Sequence, residues 1–132
     1  MDRQLISSGS PFEATVGYSR GVRVGDRLCL AGTAPQSPDG TVDPDPGAQA
    51  RRCFTIIGEA LEVAGATFGD VVRTRVYLVD AVDFDAVAAV HGEVFGDIRP
   101  ANTTLVVAAL LNPAWKLEIE VEAVIGSAKA VG

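Results

Sequence analysis

Two nine-residue segments of the chain alternate between two kinds of side chain over most of their length. Residues 71–79, VVRTRVYLV, interleave two arginines and a tyrosine with valine, threonine and leucine. Residues 116–124, KLEIEVEAV, interleave three glutamates with aliphatic residues. Because successive side chains of a β-strand point to opposite faces of a sheet, this period of two predicts two strands. The chain must therefore build a sheet with one apolar and one polar face.

Apolar residues at helical spacing predict two helices. Within residues 47–64 the apolar positions lie three and four apart and Gly65 follows as a C-cap; these positions are Ala50, Cys53, Phe54, Ile57, Leu61 and Ala64. A second helix is predicted to begin after Asp83 as its N-cap. Its apolar stripe contains the single histidine and consists of Phe84, Val87, Ala88, His91, Val94 and Phe95.

The segment before the first helix is rich in residues that favour turns. Two β-prone runs, residues 19–24 and 27–32, flank Gly25-Asp26 and predict a hairpin. Residues 37–47 contain three prolines and two glycines, so they predict a loop, with a brief strand near Thr41-Val42.

The remaining segments complete one α/β (α+β) domain. Two last strands are predicted over residues 102–108 and 115–125. Together the elements predict a mixed sheet of about six strands with two helices on one face, which leaves the other face uncovered and favours self-association. The 132 residues then divide into a core over 16–125, an irregular N-terminus over 1–15 and a C-terminal tail over 126–132.

Composition narrows the function classes. The net charge is -6, and no basic run is longer than Arg51-Arg52, so nucleic acid is not expected as a partner. No apolar run approaches the ~20 residues that cross a bilayer, and the start does not resemble a signal peptide, so we expect a cytoplasmic protein with no membrane partner. Cys29 and Cys53 are expected to stay reduced. Nucleotide and metal motifs are absent from the sequence, so we expect no cofactor and no metal.

Three segments, read in order, resemble the RidA (YjgF) family. They are GYSRGVRVGDRLCLAGTAP, QARRCFTIIGEALEVAGATFGDVVRTRVYLVDAVDF and RPANTTLVVAALLNPAWKLEIEVEAV, and the resemblance covers about residues 16–125. It implies a chorismate-mutase-like fold that forms homotrimers with a central barrel and clefts between subunits. It also implies hydrolysis of reactive imines and enamines, usually 2-imino acids, to keto acids and ammonia.

The resemblance also implies roles for particular residues. In the family, a tyrosine lines the cleft, an arginine after Pro-Ala binds the substrate carboxylate, and a glutamate of the last strand positions the attacking water. The tyrosine is Tyr18, and the glutamate is best matched by Glu118, with Glu120 as the alternative. Asn102 stands where the arginine is expected, and Thr104 where a small thiol is often found.

Loss of the arginine predicts a change of substrate. An arginine fork makes two charge-assisted hydrogen bonds, whereas an asparagine offers one neutral amide. The difference corresponds to about 1.5 to 3 kcal/mol, or about 10- to 150-fold in binding. Efficient turnover of 2-imino acids is therefore not expected, unless another arginine reaches the cleft; the candidates are Arg20, Arg73, Arg75 and Arg99.

Each candidate residue also has an ordinary structural interpretation. The glutamates can form the polar face of a strand, His91 can pack in the core or an interface, and Tyr18 can pack at an edge. Thr104 suits any strand, and Gly32, whose backbone is a candidate for substrate contact, suits any turn. A small-molecule-binding or chaperone-like trimer without turnover is thus the alternative to an enzyme, and ribonuclease activity is a third hypothesis, which the acidic charge disfavours.

Overall fold

The computed structural model describes residues 2–130 as a six-stranded mixed sheet with two helices. The strands are β1 (Arg3–Ile6), β2 (Gly21–Val24), β3 (Arg27–Leu30), β4 (Val71–Leu78), β5 (Ala101–Val106) and β6 (Leu117–Val124), and the helices are α1 (Pro46–Ala64) and α2 (Phe84–Phe95). Their order across the sheet is β1-β2-β3-β6-β4-β5. Only β4 and β5 pair in parallel, because α2 carries the chain back between them.

The apolar face of the sheet forms the core beneath the helices. Along β6 the side chains alternate between buried and partly buried, and α1 packs on β6, β3 and β1 while α2 packs on α1. The buried residues of β6 are Leu117, Ile119, Val121 and Ala123. Two helices on one face of a mixed sheet confirm the predicted fold class.

The helix ends follow from local sequence. Asp45 caps α1 by accepting a hydrogen bond from the Ala48 N–H at 2.8 Å, and Gly65 ends it with φ +82°, as its sequence position predicted. Asp83 precedes α2, but its side chain makes no capping hydrogen bond, so its predicted capping role is wrong. The capping bond comes earlier, where Asp80 accepts from the Val82 N–H at 2.9 Å and begins a 3₁₀ turn.

Two predictions about strands before α1 are wrong. Residues 1–15 are not irregular throughout, because β1 pairs with β2 and a π-helical turn covers Glu13–Gly17. Thr41 and Val42 form no strand; the Thr41 carbonyl instead accepts from the Ser37 N–H at 2.9 Å within a tight loop. The sheet reaches six strands through β1.

Buried polar side chains fix the positions of β6 and of the chain that follows it. Gln49 on α1 donates to the carbonyls of Asp43 and Ala114 and accepts from the Lys116 N–H at 2.8 Å, one residue before β6 begins. Asp70 accepts from the Gly126 and Ala128 N–H groups at 3.0 and 3.1 Å. Both ends of β6 are therefore held to the rest of the domain.

Within residues 2–130 no element covers the second face of the sheet or the outer edge of β5. Five of the six residues of β5 are exposed, including Leu105 and Val106. Within the described residues no helix is long and apolar enough to cross a membrane.

Candidate functional site

The uncovered face carries a row of charged side chains on β4 and β6. The antiparallel register sets Arg73, Arg75 and Tyr77 opposite Glu122, Glu120 and Glu118. Arg73 Nε lies 3.3 Å from Glu122 Oε2, and Arg75 Nη1 lies 3.8 and 3.9 Å from carboxylate oxygens of Glu120 and Glu122. The Tyr77 hydroxyl donates to Glu120, and this bond raises the pKa of Tyr77. Glu120 and Glu122 are thus occupied by neighbouring side chains.

Glu118 has a different environment at the start of the same strand. It is partly buried, and none of the ion pairs among residues 2–130 includes it. Burial raises the pKa of Glu118; the charge of Arg20 opposes this rise and that of Glu120 adds to it. A Cβ on Gly32 would lie 3.1 Å from Glu118 Oε2, so any larger residue would displace the carboxylate by a few tenths of an ångström.

The loop after β3 brings Gly32 to this position. Thr33 exchanges two backbone hydrogen bonds with Ile119, at 2.7 and 3.1 Å, which holds the loop against β6. Arg20 Nη2 donates to the carbonyls of Ala31 and Gly32, the latter at 3.0 Å. The backbone at Gly32 therefore lies beside the Glu118 carboxyl group, as the two candidate roles require.

Tyr18 lies near the same cluster. Its backbone N–H donates to the Glu13 carbonyl at 3.0 Å, its side chain is exposed, and it lines a groove with Cys29 and Ala31. Burial lowers the pKa of Arg20, while the nearby Tyr18 and Glu118 act to raise it. Tyr18 and Glu118 are therefore both within electrostatic range of Arg20.

A second cluster lies on the opposite, helix-covered side of the sheet, next to a cavity of about 160 Å³. The parallel register of β4 and β5 sets Asn102 beside Thr74 and Thr104 beside Val76. The cavity is mostly apolar and is lined by Val76, Phe84, Val87, Ala88, His91, Asn102 and Thr104.

The polar groups of this cluster form one hydrogen-bonded chain. The Thr104 hydroxyl donates to Asn102 Oδ1 at 3.1 Å, and Asn102 Nδ2 donates to Thr74 Oγ1 at 3.0 Å. Thr74 Oγ1 lies 2.9 Å from His91 Nε2. Burial lowers the pKa of His91, which favours the neutral ring. The tautomer of the ring decides which of Thr74 Oγ1 and His91 Nε2 donates in this hydrogen bond.

Thr74 is the residue that sequence reasoning missed. It is fully buried on the apolar face of β4, where a polar side chain needs a hydrogen-bond partner. Its place among the valines and leucine of that face was the signal that could have identified it. His91 packs on Phe95, with ring centroids 4.7 Å apart, and also lines the cavity, so its role in substrate binding stays a prediction.

The structure separates the candidate residues into two groups. Gly32 lies beside Glu118 and its carbonyl accepts from Arg20, while Tyr18 lines a groove that ends at the neighbouring Ala31. The other three candidates, His91, Asn102 and Thr104, lie across the sheet. No arginine lines the Asn102 cavity among residues 2–130, since Arg73 and Arg75 face the other side. In the same range no three metal-ligating side chains come together.

The chain is similar in sequence to one family model and to several known proteins. The family model described as Endoribonuclease L-PSP matches residues 8–125. A 2-iminobutanoate/2-iminopropanoate deaminase of Escherichia coli is 33% identical over 129 residues, covering 94% of this chain and 98% of that protein. An uncharacterized protein of Streptomyces coelicolor is 37% identical over 123 residues, 92% of each chain.

Solved structures give the same result. The crystal structure of Rv2704 from Mycobacterium tuberculosis, a member of the YjgF/YER057c/UK114 family, is 44% identical with a TM-score of 0.86 and covers 94% of this chain and 100% of that one. YjgF from Escherichia coli is 32% identical with a TM-score of 0.77, covering 91% and 92%. Matches of this extent in sequence and in structure show that the chain belongs to the RidA (YjgF) family.

Proposed function

We propose that the chain is a deaminase-like hydrolase, which acts without a cofactor on an imine, enamine or carbonyl group of a small metabolite. The observation that carries this proposal is the partly buried Glu118, which lies beside Gly32 and has no ion-pair partner among the described residues. The name of the Escherichia coli relative, a 2-iminobutanoate/2-iminopropanoate deaminase, supports the same reaction class.

The proposed site requires more than one subunit. Glu118 and Asn102 lie on opposite faces of one sheet, so a cleft that contains both draws them from different copies. The uncovered sheet face and the exposed edge of β5 are surfaces on which a copy can pack. We therefore propose a homotrimer with clefts between subunits, as in the family.

Glu118 is proposed to move the proton during hydrolysis. As the water oxygen bonds to the imine carbon, the carboxylate accepts a proton from that water. The carboxylic acid gives this proton to the nitrogen, which has received the electron pair of the C=N π bond, and a carbinolamine results. The carboxylate then accepts the hydroxyl proton of the carbinolamine and passes it to nitrogen as the carbon–nitrogen bond breaks and the C=O bond forms, so an imine and water yield a carbonyl compound and ammonia. A carboxyl group with a raised pKa suits both steps near neutral pH. Tyr18 is proposed to line this part of the cleft.

The Asn102 cavity is proposed to bind the other end of the substrate. Within the hydrogen-bonded chain, Asn102 keeps one free amide N–H, and Thr104 keeps the lone pairs of its hydroxyl oxygen as acceptors. These groups suit an uncharged amide, carbonyl or hydroxyl rather than a carboxylate. The apolar walls suit a small aliphatic body.

Hydrolysis of freshly generated imines tests both the reaction and the substrate. On a 2-imino acid, Asn102→Arg is expected to raise kcat/KM by about 10- to 150-fold, because it restores a charged fork for the carboxylate. Thr55→Arg is the control, since it adds the same charge at an exposed position on α1, away from both sheet faces. If the wild type already matches Asn102→Arg on 2-imino acids, the proposed change of substrate is wrong.

A binding protein without turnover is the second candidate, because a cavity without the arginine can still hold a ligand. A wild type that binds imine-derived products but hydrolyses no imine would favour it. Ribonuclease activity, which the family description names, is not proposed: the net charge of -6 opposes binding to phosphate backbones. Detectable RNA binding at low salt would reopen that question.

A further inference from the structure

Thr74 lies directly behind the Asn102 cavity and holds two of its polar side chains. It is fully buried on β4, and the cavity wall includes His91, Asn102 and Thr104 but not Thr74. The Thr74 hydroxyl oxygen lies 3.0 Å from Asn102 Nδ2 and 2.9 Å from His91 Nε2. Thr74 can therefore act on a bound molecule only through these two side chains.

The single proton of the Thr74 hydroxyl fixes the direction of its hydrogen bonds. In the structure the amide nitrogen of Asn102 faces Thr74, and an amide nitrogen can only donate. Among residues 2–130 the other partner of this hydroxyl is His91 Nε2, so the Thr74 proton has that nitrogen as its acceptor. Because buried donors are almost always paired, Nε2 must be unprotonated, and the neutral ring carries its proton on Nδ1.

The direction of this chain of hydrogen bonds decides what the cavity offers to a substrate. With the Asn102 nitrogen held by Thr74, Asn102 Oδ1 faces Thr104 and accepts its hydroxyl proton across 3.1 Å. The Thr104 oxygen then keeps its lone pairs for the cavity, and Asn102 keeps one N–H. The reverse direction, from His91 through Thr74 to Asn102 Oδ1, would instead leave Thr104 with a free proton.

We propose that Thr74 is a positioning residue, which holds Asn102 and His91 in one orientation and so selects a carboxamide group at this end of the substrate. The inference rests on the proposed function, because it concerns the same cavity. A carboxamide fits both free groups, since its carbonyl accepts from the Asn102 N–H and its own N–H donates to the Thr104 oxygen. A carboxylate has no proton to donate to Thr104.

Nitrogen-15 NMR of the ring of His91, the one histidine of the chain, tests the direction of the hydrogen bonds in the free protein. In mildly alkaline solution, where the ring is neutral, we expect a proton on Nδ1 and none on Nε2. Thr74→Val keeps the shape of the side chain but removes the hydroxyl, so it should give a mixture of tautomers and shift the side-chain NH₂ signals of Asn102. Thr74→Ser keeps a hydroxyl and should restore the wild-type spectrum.

Titration with two matched ligands tests the consequence for binding, with the Asn102 NH₂ signals as the readout. The first is 2-oxobutanamide, which has a carboxamide end, and the second is 2-oxobutanoate, which has a carboxylate in its place. We expect the wild type to bind the amide more tightly than the keto acid. Thr74→Val should weaken binding of the amide by about 3- to 10-fold, the effect of one hydrogen bond, and binding of the keto acid by less than about twofold. Thr74→Ser should bind both ligands like the wild type.

The outcomes separate this inference from the proposed function, because neither measurement requires turnover. A wild-type His91 with its proton on Nε2 would overturn the inference, even if Thr74→Val does not fold. Identical spectra of the wild type and Thr74→Val, or a wild type that binds the keto acid as tightly as the amide, would overturn it as well. If all these results are as expected but no imine is hydrolysed, the proposed function fails and Thr74 remains a positioning residue of a binding cavity.

Discussion

The two ends of β6 hold identical side chains in different surroundings. In the middle and at the end of the strand, Glu120 and Glu122 face the arginines of β4, and Glu120 also accepts from Tyr77. At the start, Glu118 faces Gly32, and Arg20 gives its hydrogen bonds to backbone carbonyls nearby. In the sequence the three glutamates are equivalent in residue type and spacing. Only elements distant in sequence give Glu118 surroundings that differ from those of Glu120 and Glu122.

The largest expected effect separates Glu118 from Glu120. If Glu118 transfers the proton, Glu118→Gln should lower kcat by about 10²- to 10⁴-fold, the usual contribution of general acid–base catalysis. Glu120→Gln makes the same change two residues further along the same face of β6 and should lower kcat far less. Imine hydrolysis by both variants, with their substrate binding measured in parallel, makes the comparison. Equal losses in the two variants would contradict the distinction.

A smaller effect is expected when Gly32 is changed. In Gly32→Ala the new Cβ would lie 3.1 Å from Glu118 Oε2, so the carboxylate must move by a few tenths of an ångström. We expect kcat/KM to fall by about tenfold, because catalysis depends on the position of the reacting group. Gly92→Ala is the control, since its Cβ would meet no atom within 4 Å. A Gly32→Ala enzyme with full activity would show that Glu118 needs no such room.

The ion pairs in the middle of β6 should matter for stability more than for chemistry. Arg75→Gln removes contacts of 3.8 and 3.9 Å and is expected to lower the free energy of unfolding by about 0.2 to 1 kcal/mol, with a smaller loss at high salt. Denaturant unfolding at two salt concentrations measures this change. If Arg75→Gln loses as much turnover as Glu118→Gln, the functional carboxylate is Glu120 or Glu122 rather than Glu118.

The smallest effect is the dependence of stability on pH at Glu118. Because its folded pKa is raised, its favourable contribution is complete below the pKa of the unfolded state and is lost as pH rises through the folded pKa. Glu118→Gln should therefore be more stable than the wild type at neutral pH, with the difference shrinking in acid. Thermal unfolding of both proteins across this range gives the sign, and a wild type that is the more stable one at neutral pH would contradict it.

Secondary-structure elements with a clear residue pattern in their own sequence were predicted correctly. The alternation of β4 and β6 and the stripe of α1, ended by Gly65, all appear in the structure. β1 was not predicted, because only Ile6 of its four residues is buried and the segment shows no alternation of apolar and polar residues. Thr41-Val42 resembles a strand locally, but no strand of the described part of the chain pairs with it.

The spatial arrangement of the candidate site could not be predicted from the sequence, and the roles of its residues stay predictions. Resemblance identified Glu118 and Asn102, but no single segment tells that they lie on opposite faces of the sheet. The link from Asn102 through Thr74 to His91 depends on the parallel register of β4 and β5, and that register is set by tertiary packing. The setting of Glu118 likewise depends on the Thr33–Ile119 bridge.

A carbon-13 NMR titration of the glutamate carboxyl groups tests the central claim most directly, with Glu118→Gln used to assign the Glu118 signal. The account predicts that the pKa of Glu118 lies above the ordinary glutamate value of 4.5, and that it rises further when Arg20 is replaced by glutamine. A Glu118 pKa at or below that value in the folded protein would contradict the claim that its surroundings prepare it for proton transfer.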